Sequence, residues 1–101
     1  MTTLLTQDDI DAGLADLDDG WSGSPDALQR SIEFDTFLTA VDFIAQLAPQ
    51  AEAMDHHPDV DLRWRRVDLT LATHSAGGVT ANDFRLAAAL DKIAAGLPQK
   101  S

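Results

Sequence analysis

Three histidines carry most of the chemistry this chain can offer, and two of them are adjacent. His56 and His57 follow Glu52 and Asp55 and are closed off by Pro58; the third, His74, ends a later strand-like run. Imidazole both gives and takes a proton near neutral pH, with a reference pKa of about 6.5. Neighbouring carboxylates orient such a ring and stabilise its protonated form. On a continued helix Glu52 and His56, four apart, would share a face. Acid–base chemistry is therefore the first expectation. A zinc site is the rival, but adjacent histidines diverge and the usual His-x-x-x-His spacing is absent. No metal is expected. Taken alone, each residue also has a plainer reading. His-His-Pro ends a helix, where histidine meets the C-terminal dipole favourably. His74 is a strand-end residue, Asp83 the acid of a capping box, and Trp64 a core aromatic.

The rest of the chain must hold these residues. Its 101 residues, 45% of them apolar, predict one globular domain over residues 1–101. There is no cysteine, which excludes disulfides and thiolate metal sites. Seventeen acidic residues against seven basic give a net charge of −10, a surface that repels nucleic acid and anionic lipid. No basic, apolar leader is visible, and no apolar run approaches the ~20 residues of a membrane span. The expected setting is cytoplasmic, with neither membrane nor nucleic acid as a partner.

Thr6 followed by Gln7-Asp8-Asp9 predicts a capped first helix with Ile10, Leu14 and Leu17 on one face, stopped by Gly20. Trp21 begins a short edge strand, and Ser22 to Asp26 read as a turn. Residues 28–34 alternate, with Leu28, Ile32 and Phe34 on the buried side and Arg30 among them. Asp35 can cap a helix over about 36–54, its stripe formed by Phe37, Val41, Ile44, Ala48 and Ala51 and widened by Ala40 and Leu47. Pro49 predicts a kink there. Two alternating runs, to Trp64 and from Val67, differ in parity and predict a hairpin turning at Arg65-Arg66. Thr80-Ala-Asn-Asp83 opens a last apolar helix that Gly96 and Pro98 end. The expected fold class is α+β, two layers in the order α-β-β-α-β-β-α.

Read together, the pattern Glu52-x3-His56-His57-Pro58-x5-Trp64-x9-His74-x8-Asp83 resembles the signature of the pterin-4a-carbinolamine dehydratase family. Phe34-Asp-x-Phe37, Leu71-Ala-Thr-His74-x-x-x-Gly78 and the last helix extend the resemblance from about residue 4 to 97. It implies a four-stranded antiparallel sheet with helices packed on one face. It implies elimination of water from a 4a-hydroxytetrahydropterin, left by an aromatic amino-acid hydroxylase, to give a quinonoid dihydropterin. No cofactor is implied. Carried over, His56 and His74 are the proton-transfer pair and His57 chiefly holds the pterin. Glu52 and Asp55 orient the histidines, and Thr73 and Ser75 offer contacts to the pterin's polar edge. Pro58, Trp64 and Asp83 support the pocket. The family also implies a homodimer or homotetramer, for which the last helix and an open strand edge are the expected contacts. Some relatives of the fold are binding or assembly proteins, which is the alternative function. Two departures stand out: Asn82 where many members have arginine, and Val60 where an aromatic is common.

Overall fold

The computed structural model describes residues 3–101; Met1 and Thr2, where the reading of a missing leader begins, lie outside the described residues. Helix α1 spans Gln7–Leu14. Its capping box is reciprocal: Asp9 N donates to Thr6 Oγ1 at 3.2 Å and Thr6 N to Asp9 Oδ2 at 3.0 Å. The helix ends at Leu14, short of Gly20, and Leu17 follows in a turn whose N–H donates to Leu14 O. Strand β1 is Ser22–Gly23, so the first two residues of the expected turn are paired, Ser22 with Gln29 and Gly23 with Leu28. Trp21, just before it, is buried.

Strand β2 (Leu28–Glu33) pairs antiparallel with β4 (Arg66–Leu71), and β4 with β3 (Asp59–Arg63), giving the sheet order β1-β2-β4-β3. The alternation puts Leu28, Arg30 and Ile32 of β2 and Val67, Leu69 and Leu71 of β4 on one buried face. Gln29, Ser31, Asp68 and Thr70 occupy the other face, where Ser31 Oγ donates to Asp68 Oδ1 at 2.6 Å. The helices cover the first face only, as expected for an antiparallel sheet with one apolar side. Arg30 is tolerated there because its guanidinium pairs with Asp91 and, at 3.3 Å, with Asp18. Asp91 also accepts from Trp21 Nε1 at 2.7 Å. Strand β3 is an edge, with Val60 and Leu62 only partly covered.

Helix α2 (Phe37–Met54) departs from the reading in two ways. Its cap is Thr36, whose Oγ1 accepts from Thr39 N at 3.1 Å, and not Asp35. Of the expected stripe, Ala40, Leu47 and Ala51 are buried, joined by Phe43, while Phe37 and Val41 are 48% and 40% exposed; Leu38 is 78% exposed. Two apolar ladders coexist on this helix. On the inner one Phe43 packs its ring against Phe34, centroids 5.1 Å apart. Pro49 lies exposed and the helix runs through it to Met54.

The hairpin also turns one residue early. Arg63 pairs with Arg66, so the loop is Trp64-Arg65, and Trp64 takes a left-handed φ of 55°. Helix α3 (Ala81–Ala95) buries Leu86, Ala87, Leu90 and Ala94 inside the chain. Phe84 and Ile93 of the same helix are only partly buried. Among the described residues no helix is long and apolar enough to cross a membrane.

Candidate active site

Three element ends meet at one corner: the end of α2, the exit of β4 and the start of α3. Asp55 ends α2 in the left-handed conformation, φ 48°, its N–H donating to the carbonyls of Ala51 and Glu52. Aspartate is one of the few side chains that tolerate this cap position. His56 N then donates to Ala51 O at 3.0 Å. That reversal points the two histidines apart. His56 is buried, whereas His57 is exposed.

Nε2 of His56 lies 2.5 Å from Oδ1 of Asp83, a carboxylate with no solvent exposure. The other oxygen of Asp83 accepts from Thr73 Oγ1 and from the backbone N–H of Thr80, each at 2.9 Å. Thr73 and Thr80 join hydroxyls at 2.7 Å. Asp83 thus closes the capping box of α3 and anchors His56 at once. A carboxylate at a helix N-terminus is favoured by the dipole and by the free N–H groups there. With three protein donors it meets the requirement that a buried charge be hydrogen-bonded.

The expected carboxylate partners change accordingly. Glu52 does not share a face with His56, because α2 stops at Met54; it reaches His57, Oε1 to Nε2 at 2.5 Å, and both side chains are exposed. Asp55 serves through its backbone as the helix cap, and its side chain is exposed. The hydroxyl of Thr73 is engaged with Asp83 and Thr80.

His74 and Ser75 open a 3-10 turn, His74–Ala76, directly after β4, and both are exposed. Thr73 N donates to Gly78 O at 2.8 Å, and Gly77 takes φ 79° to close the loop. His74 is therefore one residue from the hydrogen-bond chain that reaches His56. Pro58 is half-buried and leads into β3. Trp64 is not brought to this corner. It sits at the far end of β3, 68% exposed, with the Arg65 guanidinium 4.3 Å from its ring centre. Of the two departures, Asn82 Oδ1 accepts from Arg85, which supplies a guanidinium one turn further along, and Val60 is 38% exposed on the edge strand.

Thr80 was not among the expected site residues. Its signal was the capping box itself: a Thr-x-x-Asp start whose acid also faces a histidine makes the cap residue part of the site. Among the described residues no group of three or more histidine or carboxylate side chains is placed to hold a metal ion. A depression of about 430 Å³ lies elsewhere, lined by Ser22, Gln29, Ser31, Asp68 and Thr70 among others.

Comparison with known proteins bears on the same residues. The family profile described as "Pterin 4 alpha carbinolamine dehydratase" matches residues 3–93. A protein of Mycobacteroides abscessus named "Putative pterin-4-alpha-carbinolamine dehydratase" is 49% identical over 88 residues, 87% of this chain and 93% of the relative. One of the same name from Mycobacterium avium is 49% identical over 90 residues, 89% of this chain and 95% of the relative. The crystal structure of a "transcriptional coactivator/pterin dehydratase" from Brucella melitensis superposes with a TM-score of 0.86 at 42% identity, covering 91% of this chain and 99% of that one. A pterin dehydratase-like protein described as a RuBisCO assembly factor shares the fold, with a TM-score of 0.60 at 24% identity over 73% of this chain and 86% of that one. With the profile spanning the whole sheet, all but the end of the last helix, and every histidine, this chain belongs to the pterin-4a-carbinolamine dehydratase family.

Proposed function

We propose that this chain dehydrates a 4a-hydroxytetrahydropterin, with His56 and His74 as the proton-transfer pair and His57 holding the ring. In that reaction a proton goes to the 4a-hydroxyl and the C4a–O bond breaks, releasing water. N5 loses its proton, and the electron pair of the N5–H bond completes the C4a=N5 bond of the quinonoid product. The chemistry asks only for groups that give and take protons near neutral pH. The observation that carries the reading is the buried Asp83–His56 pair, with the exposed His57 next to His56 and the exposed His74 next to the Thr73 that shares Asp83, in a chain of the dehydratase family. A cytoplasmic setting, and a hydroxylase as the source of substrate, belong to the same proposal. The test is the rate of loss of carbinolamine generated by a hydroxylase, for the wild type, His56→Ala and His74→Ala. Each substitution is expected to cost about 10²–10⁴ in kcat. Equal, background rates for all three would end the enzyme reading.

A second reading, a binding or assembly role, is favoured by the apolar surface that α2 leaves uncovered at Phe37, Leu38 and Val41. The Brucella relative's description also couples coactivator with dehydratase. Retention of all three histidines supports catalysis over a purely structural role, since function follows the site more than the fold. The same α2 surface is the contact we assign to a homo-oligomer.

A further inference from the structure

We propose that Asp83 fixes the tautomer of His56, so that this ring exchanges protons with the substrate through Nδ1 alone. With Asp83 as a carboxylate, the hydrogen positions in the buried chain admit one solution. The Thr80 backbone N–H can only donate, and it donates to Asp83 Oδ2. As a carboxylate Asp83 only accepts, so the Thr73 hydroxyl also donates to Oδ2. With its one hydrogen committed, Thr73 Oγ1 must accept the hydroxyl hydrogen of Thr80. Oδ1 is left facing His56 Nε2, which must therefore carry a hydrogen. In the neutral ring the lone pair then sits on Nδ1. Among the described residues the buried side-chain nitrogen or oxygen without a partner is Arg30 Nε, so Nδ1 of His56 is not sealed inside the core. A proton arriving at Nδ1 makes an imidazolium whose charge faces the Asp83 carboxylate. Asp83 does not touch the reacting atoms; it is a positioning residue. That Nδ1 serves dehydration rests on the proposed function; the tautomer itself does not.

Asp83→Asn turns the same constraint into a reversal. The Thr80 N–H requires an oxygen where Oδ2 was, so the amide must place its NH₂ toward His56 Nε2. Nε2 must then accept, and the ring hydrogen moves to Nδ1. The fold of the corner is kept and the proton is on the wrong nitrogen. Long-range ¹H–¹⁵N NMR of the ¹⁵N-labelled chain, at a pH where the ring is neutral, reads this directly. The wild type is expected to show the Nε2–H form at His56 and Asp83→Asn the Nδ1–H form. In the dehydration assay kcat is expected to fall by about 10²–10⁴ with KM within threefold, as for a carboxylate-to-amide change behind a catalytic histidine. An Nδ1–H form in the wild type overturns the proposal even if the variant fails to fold. So does a variant that keeps Nε2–H, or one that flips and keeps full kcat. Should the wild type show no dehydratase activity, the functional reading falls, and the tautomer reversal by itself supports or overturns the role of Asp83.

Discussion

Replacing Trp64 with asparagine separates two views of the hairpin. Trp64 holds φ 55°, a region that costs a side chain with Cβ roughly 1–2 kcal/mol and that asparagine tolerates better. The indole is 68% exposed, so little apolar burial is at stake. What it would lose is the contact with Arg65 at 4.3 Å, about 0.5–1 kcal/mol for an exposed cation–π pair. The balance is a change between zero and about 1 kcal/mol in the stabilising direction. For a domain of this size that is a Tm rise of at most ~8 °C. A core tryptophan behaves differently, since truncation there costs about 3–5 kcal/mol. Trp21, 6% exposed with its Nε1–H on Asp91, is the internal control, and Trp21→Ala belongs in that costly class. Trp64 is also separated from His57-Pro58 by the five residues of β3, on the order of 17 Å at strand rise. Carbinolamine dehydration by Trp64→Asn is therefore expected within twofold of the wild type. Thermal and urea unfolding, run beside the activity assay, decide the matter. A loss above 2 kcal/mol, or a tenfold drop in kcat/KM, would show that the tip supports the core or the site after all.

The Asp9 carboxyl is held below its ordinary value of 3.8, first by the backbone N–H of Thr6 and then by the Thr6 side chain, with a small opposing effect of burial. A depressed folded-state pKa contributes stability that is present above the unfolded value and lost as pH falls through the folded one. Asp9→Asn is therefore expected to lower the urea midpoint at neutral pH, with the gap to wild type narrowing once pH drops below 3.8; a gap that persists in acid contradicts the capping role. On the outer face of α2, Leu38→Glu puts a charge where 78% of a leucine is exposed beside Phe37 and Val41. Native mass measurement at micromolar concentration is expected to find an oligomer for the parent and a smaller species for the variant. A monomeric parent, or an unchanged mass, refutes the assigned contact.

The order of elements was legible because caps and periods are local signals. Thr6, Thr80 and Asp83 announce their helices within four residues, and the alternation of β2 and β4 predicts one buried face. The histidine signature carried the family. What failed depended on tertiary choice. Helix α2 offers two apolar ladders one step apart, and tertiary packing, including that of Phe43 on Phe34, selects between them. The hairpin tip is a tryptophan in a conformation that favours glycine or asparagine, so no turn signal marked it. Pairing Glu52 with His56 assumed a helix continued through Asp55. The left-handed cap there gives Glu52 to His57 and frees His56 for a partner 27 residues away.

That last exchange explains why the adjacent histidines are not redundant. A helix end that simply frayed would leave both imidazoles in water, each free to choose its tautomer. The reversal at Asp55 instead drives one ring inward, against a carboxylate whose remaining oxygen is committed to the start of another helix. His56 is held from two elements, while His57 keeps a solvent-exposed partner that can be displaced. Exposed ion pairs contribute about 0–1 kcal/mol. Removing one partner of a buried pair costs about 3–5 kcal/mol. A group that must present one nitrogen reproducibly belongs on the buried support, and one that must admit and release a ligand on the exposed one. The −10 surface does not compete for this corner, because the carboxylate that matters is inside and every hydrogen it needs comes from the backbone of Thr80, from Thr73 or from His56 itself.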